Sequence, residues 1–411
     1  MLNRLPALHQ TLLRQIDQQA ALLGFPAYLV GGGVRDILLK LPALDLDIVI
    51  EGDAIQLARA LKTRYGGELT LHTKFQTATW QPPAGPPLDL ITARRETYPA
   101  PASLPEVSPS SLADDLARRD FSINTLALRL ADEALIDPHN AQSDLASGLI
   151  RVLHPKSFID DPTRLYRAVR YETRYGFRLA PDTLALIPPA LPLVQRLTAE
   201  RLRHELDLVF NEHRPARVLA RMDKLGLLQA VLPDVLAWTP AHAAKLDSAL
   251  ASPPPPEWGL ALTYNGQPIN RVLGYALWFS ALSHAQIALL HVRLTFPLAV
   301  FKTAQAVSDL LADLPVLTDS NPSAWVRRLE EVPLPAIYAA SLLSGEDALK
   351  RYVTHWQHIR PQTDGEILKA LGLPPGPRYA EILSRLRNAR LDGEIDTDEQ
   401  EKELLNKIMA S

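Results

Sequence analysis

Two aspartates, Asp45 and Asp47, stand two residues apart in the stretch LDLDIVIEGD, residues 44–53. The apolar residues around them predict a strand, and side chains at that spacing point to the same face of a strand. Two neighbouring carboxylates repel each other unless a cation lies between them. Mg²⁺ binds carboxylate oxygens together with substrate phosphates, so the pair predicts catalytic metal ligands. Asp89, in the predicted strand LDLITAR, is a further candidate that we rank below the pair.

The stretch YLVGGGVRDILL, residues 28–39, predicts a strand that ends in glycines and a helix that begins after them. Gly31 and Gly32 allow backbone N–H groups to approach a phosphate, and the N-terminus of a helix attracts anions. Arg35, one turn into the helix, adds a guanidinium group. Taken separately, the glycines are as typical of a tight strand-to-helix turn, and the two aspartates of a solvated strand face. Together they predict a site for a nucleoside triphosphate bound through Mg²⁺.

Two later stretches gather arginines and hydrogen-bonding side chains. RRDFSIN, residues 118–124, offers guanidinium groups for a triphosphate and polar side chains for a ribose or for its own loop. In DDPTRLYR, residues 160–167, an aspartate before a proline is typical of a helix start. The arginines that follow recur within about 120° on one helical face, which is either a cationic site or a solvated surface. The candidate nucleotide-binding residues are Arg119, Asp120, Asn124, Asp161, Arg164, Arg167 and Arg170.

The elements that must position these residues fall into two parts. Short apolar or alternating runs predict five strands within about the first 95 residues, with helices between them, so the first part is a mixed α+β head. Residues 113–130 also read as helical, and the proline- and serine-rich residues 92–116 predict a mobile loop. From Pro162 onward nearly every segment has a helical period, which predicts an all-α remainder.

Composition limits the function classes. The 411 residues include no cysteine, which excludes disulfides, thiol catalysis and zinc–thiolate sites. No run of about 18 apolar residues is present, so we expect no membrane span and a cytoplasmic location. The formal net charge of −3 argues against a protein coated with nucleic acid. Between Arg151 and Arg217, however, 12 Lys and Arg stand against 8 Asp and Glu, which indicates a local surface for an anionic partner.

Five motifs in order resemble the class II tRNA nucleotidyltransferases and the related bacterial poly(A) polymerases. The resemblance extends from about residue 27 to residue 240, more than half of the chain. It implies a catalytic head at residues 1–137, a neck with a nucleotide-selecting helix at 138–210, a helical body at 211–285 and a tRNA-binding tail at 286–411. The motifs are LVGGGVRD with DLD, RRDFSINTLAL (118–128), DPHNAQSDLASGLIRVL (137–153), DDPTRLYRAVRYETRYGF (160–177) and ERLRHEL (200–206).

The resemblance also implies roles for individual residues. Asp45 and Asp47 would be catalytic and would hold Mg²⁺, two ions per active site. Asp161 and Arg164 would form hydrogen bonds with the edge of the incoming base, which admits CTP or ATP and rejects UTP and GTP, with Arg119 and Arg167 on the nucleotide. Asp160 stands where the family usually has Glu, a conservative departure.

The resemblance leaves the exact reaction open. The chain would add CMP, AMP or both to the tRNA 3′ end, and residues 92–116 look more like those of A-adding enzymes. One alternative is a poly(A) polymerase with the same catalytic motifs, although the acidic C-terminal stretch LDGEIDTDEQEKELLNK favours the tRNA enzyme. Another is a non-catalytic RNA-binding protein on the same scaffold. The sequence does not predict an oligomeric state.

Overall fold

The computed structural model describes residues 1–42, 46–240 and 243–410. Contacts between residues divide the chain into two compact units. The first comprises Met1–Glu205 and Arg221–Pro233, and the second comprises Leu206–Ala220 and Asp234–Ser411. The boundaries of head, neck, body and tail stay a prediction.

A seven-stranded mixed sheet forms the centre of the first unit, with strand order β3-β4-β5-β2-β1-β8-β9. β2 runs parallel to β5 and antiparallel to β1, so these three neighbouring strands carry the glycine turn and the acidic residues to one region of the sheet. The strands are β1 (Ala27–Val30), β2 (Asp47–Ile50), β3 (Glu68–His72), β4 (Thr77–Gln81), β5 (Leu88–Thr92), β6 (Arg94–Thr97), β7 (Glu106–Pro109), β8 (Ala127–Arg129), β9 (Leu135–Ile136), β10 (Leu149–Ile150), β11 (Arg178–Leu179), β12 (Thr263–Tyr264) and β13 (Gln267–Pro268).

The central strands β1 and β2 are buried along nearly their whole length, which is typical of strands with apolar residues on both faces. On one face Tyr28, Val30 and Val49 pack in a buried cluster with Leu112 and Leu116 of the helix that follows β7. The first helices of the unit are α1 (Ala7–Leu23), α2 (Gly32–Leu38), α3 (Ala54–Tyr65), α4 (Leu112–Ala117), α5 (Ala141–Ser147), α6 (Ser157–Asp160) and α7 (Thr163–Tyr175).

Further helices complete the chain, as the helical period after Pro162 predicts. They are α8 (Pro181–Ala185), α9 (Ile187–Ala190), α10 (Ala199–Asp207), α11 (Pro215–Lys224), α12 (Leu227–Val231), α13 (Ala243–Leu250), α14 (Ile269–Trp278), α15 (His284–Leu294), α16 (Leu298–Leu317), α17 (Pro322–Leu329), α18 (Leu334–Ser344), α19 (Asp347–Thr354), α20 (Gly365–Ala370), α21 (Pro377–Leu391) and α22 (Asp398–Ala410). None of the helices that the structure describes combines the length and the apolar character that a bilayer crossing requires.

The five predicted strands of the head and the α+β fold are confirmed, but two local predictions are wrong. Residues 92–116, predicted as a loop, contain the antiparallel hairpin β6–β7 and most of α4. Residues 113–130, predicted as a helix, are helical only as far as Ala117 and contain strand β8. β8 pairs with β1, and this tertiary pairing outweighs the local helical pattern.

The second unit is built around aromatic side chains of α14. The rings of Phe210 and Tyr275 meet edge to face at a centroid distance of 4.7 Å, and Tyr275 donates a hydrogen bond to Asp207. A Cβ at Gly274 would overlap the ring of Phe210, so glycine is required for this contact. Elsewhere in this unit, α17, α21 and the segment before α20 line a cavity of about 520 Å³.

Candidate active site

A polar cavity of about 610 Å³ in the first unit collects most of the residues predicted from the sequence. Its lining includes Gly32, Arg35, Asp47, Arg119, Asp120, Asn124, Asp161, Arg164 and Arg167. Gly31, Asp89 and Arg170 are absent from that lining. Asp45 lies outside the described residues. The structure therefore brings nine of the predicted residues to one cavity.

The carboxylate side of the cavity is formed by strand β2. Asp47, its first residue, is aligned with Val30 of β1 on one side and with Asp89 of β5 on the other. Asp89 is exposed, and its carboxylate accepts a hydrogen bond from Thr79 at 2.6 Å. Among the described residues, no group of three or more His, Asp or Glu side chains is arranged to hold a metal ion. Asp47 is thus the predicted metal ligand that the structure brings to the cavity.

The glycine turn allows the guanidinium of Arg119 to lie close to the backbone. Gly31 has φ +63°, and a Cβ at this position would overlap Nη1 of Arg119. Glycine is therefore required here for both its backbone conformation and the approach of Arg119. Arg35, on α2, donates hydrogen bonds to Asn124 Oδ1 at 2.5 Å and to Asp36 Oδ1 at 2.8 Å.

Asp120 connects this turn to helix α7. Its Oδ2 accepts hydrogen bonds from Nε and Nη2 of Arg167 at 2.8 and 2.6 Å, and its Oδ1 accepts one from Asn124 at 2.8 Å. Burial acts to raise the pKa of Asp120, but the charge of Arg167 and these hydrogen bonds outweigh it and lower the pKa to about 2. The charge of Asp120 in turn raises the pKa of Arg167. Both groups are therefore ionised at neutral pH.

The predicted base-reading pair stands at the start of α7. The Oδ1 atom of Asp161 accepts hydrogen bonds from the backbone N–H and the hydroxyl of Thr163 and from Nη2 of Arg201. Among the described residues, no donor forms a hydrogen bond with Oδ2 of Asp161. Arg164 is buried and donates through Nη1 to Ser157 Oγ at 2.8 Å and through Nη2 to the Arg118 carbonyl at 2.8 Å. One carboxylate oxygen is thereby fixed and the other is left for a ligand.

Arg119 carries a buried donor that faces no acceptor. Its Nη2 donates to Asp115 at 3.0 Å and its Nη1 to the Asn124 carbonyl at 3.3 Å. Its Nε is buried, and the described part of the chain offers this atom no hydrogen-bond partner. A buried N–H without an acceptor is costly. The bonds from Nη1 and Nη2 hold the guanidinium beside the glycine turn in spite of that cost.

Sequence reasoning missed several lining residues, among them Glu96, Tyr98 and Glu205. Glu96 and Tyr98 belong to the segment interpreted as a loop, and no spacing in that segment indicates that it reaches the cavity. Glu205 lies in the ERLRHEL motif, where a helical face was visible but its partner was not. Burial raises the pKa of Glu205 against the attraction of Arg170, with which it forms an ion pair at 2.9 Å.

Two family models match the chain. The poly A polymerase head domain matches residues 27–151, and the probable RNA and SrmB-binding site of polymerase A matches residues 176–239. The fold and the cavity thus belong to the nucleotidyltransferase class, in which a head domain is followed by an RNA-binding part.

Individual relatives show to which family within this class the chain belongs. An A-adding tRNA nucleotidyltransferase of Halalkalibacterium halodurans is 33% identical over 94% of this chain and 90% of the relative. An A-adding tRNA nucleotidyltransferase of Geobacter sulfurreducens is 35% identical over the whole chain, which spans only 48% of that relative. A CC-adding tRNA nucleotidyltransferase of Deinococcus radiodurans is 39% identical over 57% of this chain and 65% of the relative. The chain belongs to the tRNA nucleotidyltransferase family.

Solved structures agree with this assignment. A CCA-adding enzyme in an apo form superposes with a TM-score of 0.83 and 27% identity over 99% of this chain and 97% of that chain. The Thermotoga maritima CCA-adding enzyme complexed with tRNA has a TM-score of 0.76 and 26% identity over 100% of this chain and 97% of that chain. A CCA-adding enzyme complexed with CTP has a TM-score of 0.80 and 27% identity over the same shares of the two chains. The family and fold that the motifs implied are confirmed.

Proposed function

We propose that this chain is an A-adding tRNA nucleotidyltransferase, which transfers AMP from ATP to a tRNA that ends in CC, in the cytoplasm. The relatives that match 94% and 100% of the chain are both A-adding enzymes. A CC-adding relative from Geobacter sulfurreducens also matches 93% of the chain, but at 29% identity, against 33% and 35% for the two A-adding relatives. The higher identity over nearly the whole chain supports A-addition over CC-addition, while the cavity supports nucleotidyl transfer itself.

In the proposed reaction, the 3′ oxygen of the tRNA attacks the α-phosphorus of ATP. A bond forms between that oxygen and phosphorus, the bond from phosphorus to the bridging oxygen breaks, and pyrophosphate leaves with the electron pair. The hydroxyl proton passes to solvent. Arg35 and Arg119, beside the glycine turn, line the cavity and supply positive charge for the triphosphate.

The carboxylates predicted as metal ligands fit Mg²⁺ in their chemistry, since Mg²⁺ takes oxygen ligands and completes its shell with substrate phosphates. Asp47 lines the cavity and would hold the ion together with Asp45. When bound, Mg²⁺ polarises the α-phosphate and neutralises the charge that develops on the leaving pyrophosphate. The role of this chain is then to hold the carboxylates, the triphosphate and the base in fixed relation.

Base selection falls to Asp161 and Arg164. A carboxylate oxygen accepts a hydrogen bond from an exocyclic amino group, which adenine and cytosine carry and which guanine and uracil replace with a carbonyl oxygen on that edge. The guanidinium donates to the neighbouring ring nitrogen. A wrong base would leave a buried charge unpaired, which is the strongest available basis for rejection.

One observation carries the proposal: Asp47 on β2 and the pair Asp161 and Arg164 at the start of α7 line the same cavity of about 610 Å³. These residues are more than a hundred positions apart in the chain. Their meeting around a volume large enough for a nucleotide joins phosphoryl transfer to inspection of the base.

The test offers the purified chain three tRNAs, lacking A, CA or CCA, with ATP or CTP supplied separately, and sequences the products. A-addition predicts one AMP on the tRNA that ends in CC and no CMP on either of the others. Addition of CMP to the tRNAs lacking CA and CCA, together with addition of AMP to the tRNA lacking A, would replace the proposal with a full CCA-adding enzyme. A generic oligoribonucleotide serves as the control substrate. Unbounded A tails on it would identify a poly(A) polymerase, and tRNA binding without any product would identify a non-catalytic RNA-binding protein.

A further inference from the structure

We propose that Tyr98 is a specificity-determining residue. Its hydroxyl accepts a hydrogen bond from the guanidinium of Arg164, which leaves that hydrogen unavailable to the base and so favours adenine over cytosine. This inference rests on the proposed function, since it assumes that Arg164 donates to the incoming base. It adds a residue that lies outside the motifs and explains how one acid–guanidinium pair could accept A and disfavour C.

Tyr98 reaches the cavity from the hairpin β6–β7. It follows directly after β6, and its hydroxyl accepts a hydrogen bond from Nη2 of Arg164 at 3.4 Å. The same hydroxyl donates its one hydrogen to Oε2 of Glu96 at 3.2 Å. Burial raises the pKa of Tyr98 to about 12, so the phenol keeps its proton at neutral pH. The hydroxyl therefore has no hydrogen left to offer a base.

The contact matters because of how a guanidinium forms paired hydrogen bonds. Its five N–H groups form two forks that can grip two acceptors side by side, one from Nε and Nη2 and the other from Nη1 and Nη2. Both forks use Nη2. In this chain the two hydrogens of Nη2 are directed to the Arg118 carbonyl and to the Tyr98 hydroxyl. Arg164 can therefore offer a base single hydrogen bonds only.

Adenine and cytosine differ in what they need from that guanidinium. Next to its amino group adenine presents one ring acceptor, N1, followed by a C–H group. Cytosine presents two adjacent acceptors, N3 and O2. With Tyr98 in place, adenine can be fully satisfied, whereas O2 of cytosine would compete with the Tyr98 hydroxyl for the same hydrogen. An O2 atom buried without a hydrogen-bond donor would disfavour the binding of cytosine.

The hairpin loop that carries Tyr98 is tied to the base-reading residues. Ala102 donates its N–H to the Ile159 carbonyl at 3.0 Å and accepts a hydrogen bond from Nη1 of Arg201 at 2.8 Å. Nη2 of Arg201 donates to Oδ1 of Asp161 at 2.8 Å. One arginine thus fixes both the loop and the carboxylate, which holds Tyr98 in place relative to the pair that reads the base.

The test is the substitution Tyr98→Phe in the full chain, which removes the hydroxyl and keeps the ring. We expect kcat/KM for CTP, measured on tRNA lacking CA, to rise about tenfold, the size of one buried hydrogen bond. kcat/KM for ATP on tRNA lacking A should stay within about twofold of the wild-type value, because adenine does not use the freed hydrogen. Tyr65→Phe, which removes a hydroxyl that contacts Gln18 at 3.3 Å on another part of the unit, is the matched control and should change neither value.

A second substrate tests whether the O2 atom of cytosine, rather than the size of the base, causes the discrimination against CTP. A C-linked 2-aminopyridine ribonucleoside triphosphate keeps the ring size, ring acceptor and amino group of cytosine but has hydrogen in place of O2. At a pH where its ring nitrogen is unprotonated, the wild-type chain should use it about tenfold better than CTP. Tyr98→Phe should abolish that difference.

Three outcomes are decisive. An increase in CTP use with ATP use preserved supports the role of Tyr98. An unchanged CTP-to-ATP ratio, or an equal loss with both nucleotides, overturns that role and leaves the proposed A-addition intact as long as the wild-type chain selects ATP. Ready use of CTP by the wild-type chain would overturn the proposed function and the role of Tyr98 together.

Discussion

Two cavities, one in each unit, both contain several arginines, but they hold them differently. In the first unit, Arg164 and Arg167 are buried or half-buried and are oriented by the buried side chains of Asp120 and Ser157 and by a backbone carbonyl. In the second unit, Arg360 is exposed and donates to carbonyls of its own segment, and Arg387 pairs with exposed Glu330. The cavities are of similar size, about 610 and 520 Å³.

This difference shows that cavity size and arginine content do not by themselves indicate catalysis. A guanidinium held by buried partners has one orientation and a higher electrostatic effect than a solvated one. A solvated guanidinium is suited to a phosphate backbone, which demands charge rather than precise geometry. We therefore propose the first cavity for chemistry on a nucleotide, and the second, with its exposed Arg327 and Arg360, for contact with an extended anion.

The largest effect should come from the carboxylate side of the first cavity. Asp47→Asn keeps the shape of the side chain but removes the charge that a metal ion needs, so turnover should fall by roughly a thousandfold or more. Binding of tRNA in a gel-shift assay should stay within about twofold of the wild-type value. Ser384→Ala, in the lining of the second cavity, is the control and should leave turnover unchanged. Wild-type turnover by Asp47→Asn would refute the metal assignment.

A smaller effect, on selection rather than rate alone, is expected for the base-reading pair. The double substitution Asp161→Ala with Arg164→Ala should reduce the preference for ATP over GTP by about a hundredfold, because the hydrogen bonds that distinguish the base edges are gone. Competition between labelled ATP and GTP on tRNA lacking A measures this ratio. The control variant, Arg196→Ala with Glu200→Ala, removes an exposed guanidinium and an exposed carboxylate of the same unit. It should leave the preference for ATP over GTP unchanged. A preserved preference in the first double variant would exclude the reading role.

The ion pair between Asp120 and Arg167 should affect stability in a pH-dependent way. Because the pKa of Asp120 falls from its ordinary value of 3.8 to about 2 in the folded chain, its contribution to stability is present above about pH 4 and is lost as pH falls toward 2. Asp120→Asn removes the charge that pairs with Arg167 and leaves the weaker contact with Glu205 at 4.0 Å, so the urea midpoint at pH 7 should drop, with a loss of about 2 kcal/mol. The gap between variant and wild type should narrow between pH 4 and pH 2. A gap that is constant with pH would show that the pair does not titrate in this way.

The smallest effect is expected in the second cavity. Arg327 is exposed on α17, and Arg327→Gln should weaken tRNA binding by about threefold and lower the salt dependence of binding by about one ion. KM for ATP should not change. A tenfold rise in KM for ATP would mean that the second cavity also binds the nucleotide, and would end the comparison between the two cavities.

Sequence patterns predicted the head strands, helix α7 and nine lining residues because each depends on local spacing. The partners of those residues were not predictable in the same way. Asp120 and Arg167 are 47 positions apart, and their ion pair forms only when α7 packs beside the RRDFSIN turn. The hairpin β6–β7 was missed because proline and alanine dominate its loop, although residues 94–97 pair with residues 106–109 across the strands. Tyr98 was invisible for that reason.

The contact of Arg201 with both Ala102 and Asp161 has a practical consequence. The segment around Ala102 and the carboxylate of Asp161 share one arginine and so should move together. Binding of a base can therefore be detected as a change in the accessibility of that backbone segment, without measuring the reaction product. Limited proteolysis near Leu104, which is 71% exposed, would then serve as a label-free gauge of nucleotide binding, with cleavage slowing as a matching nucleotide tightens the tether.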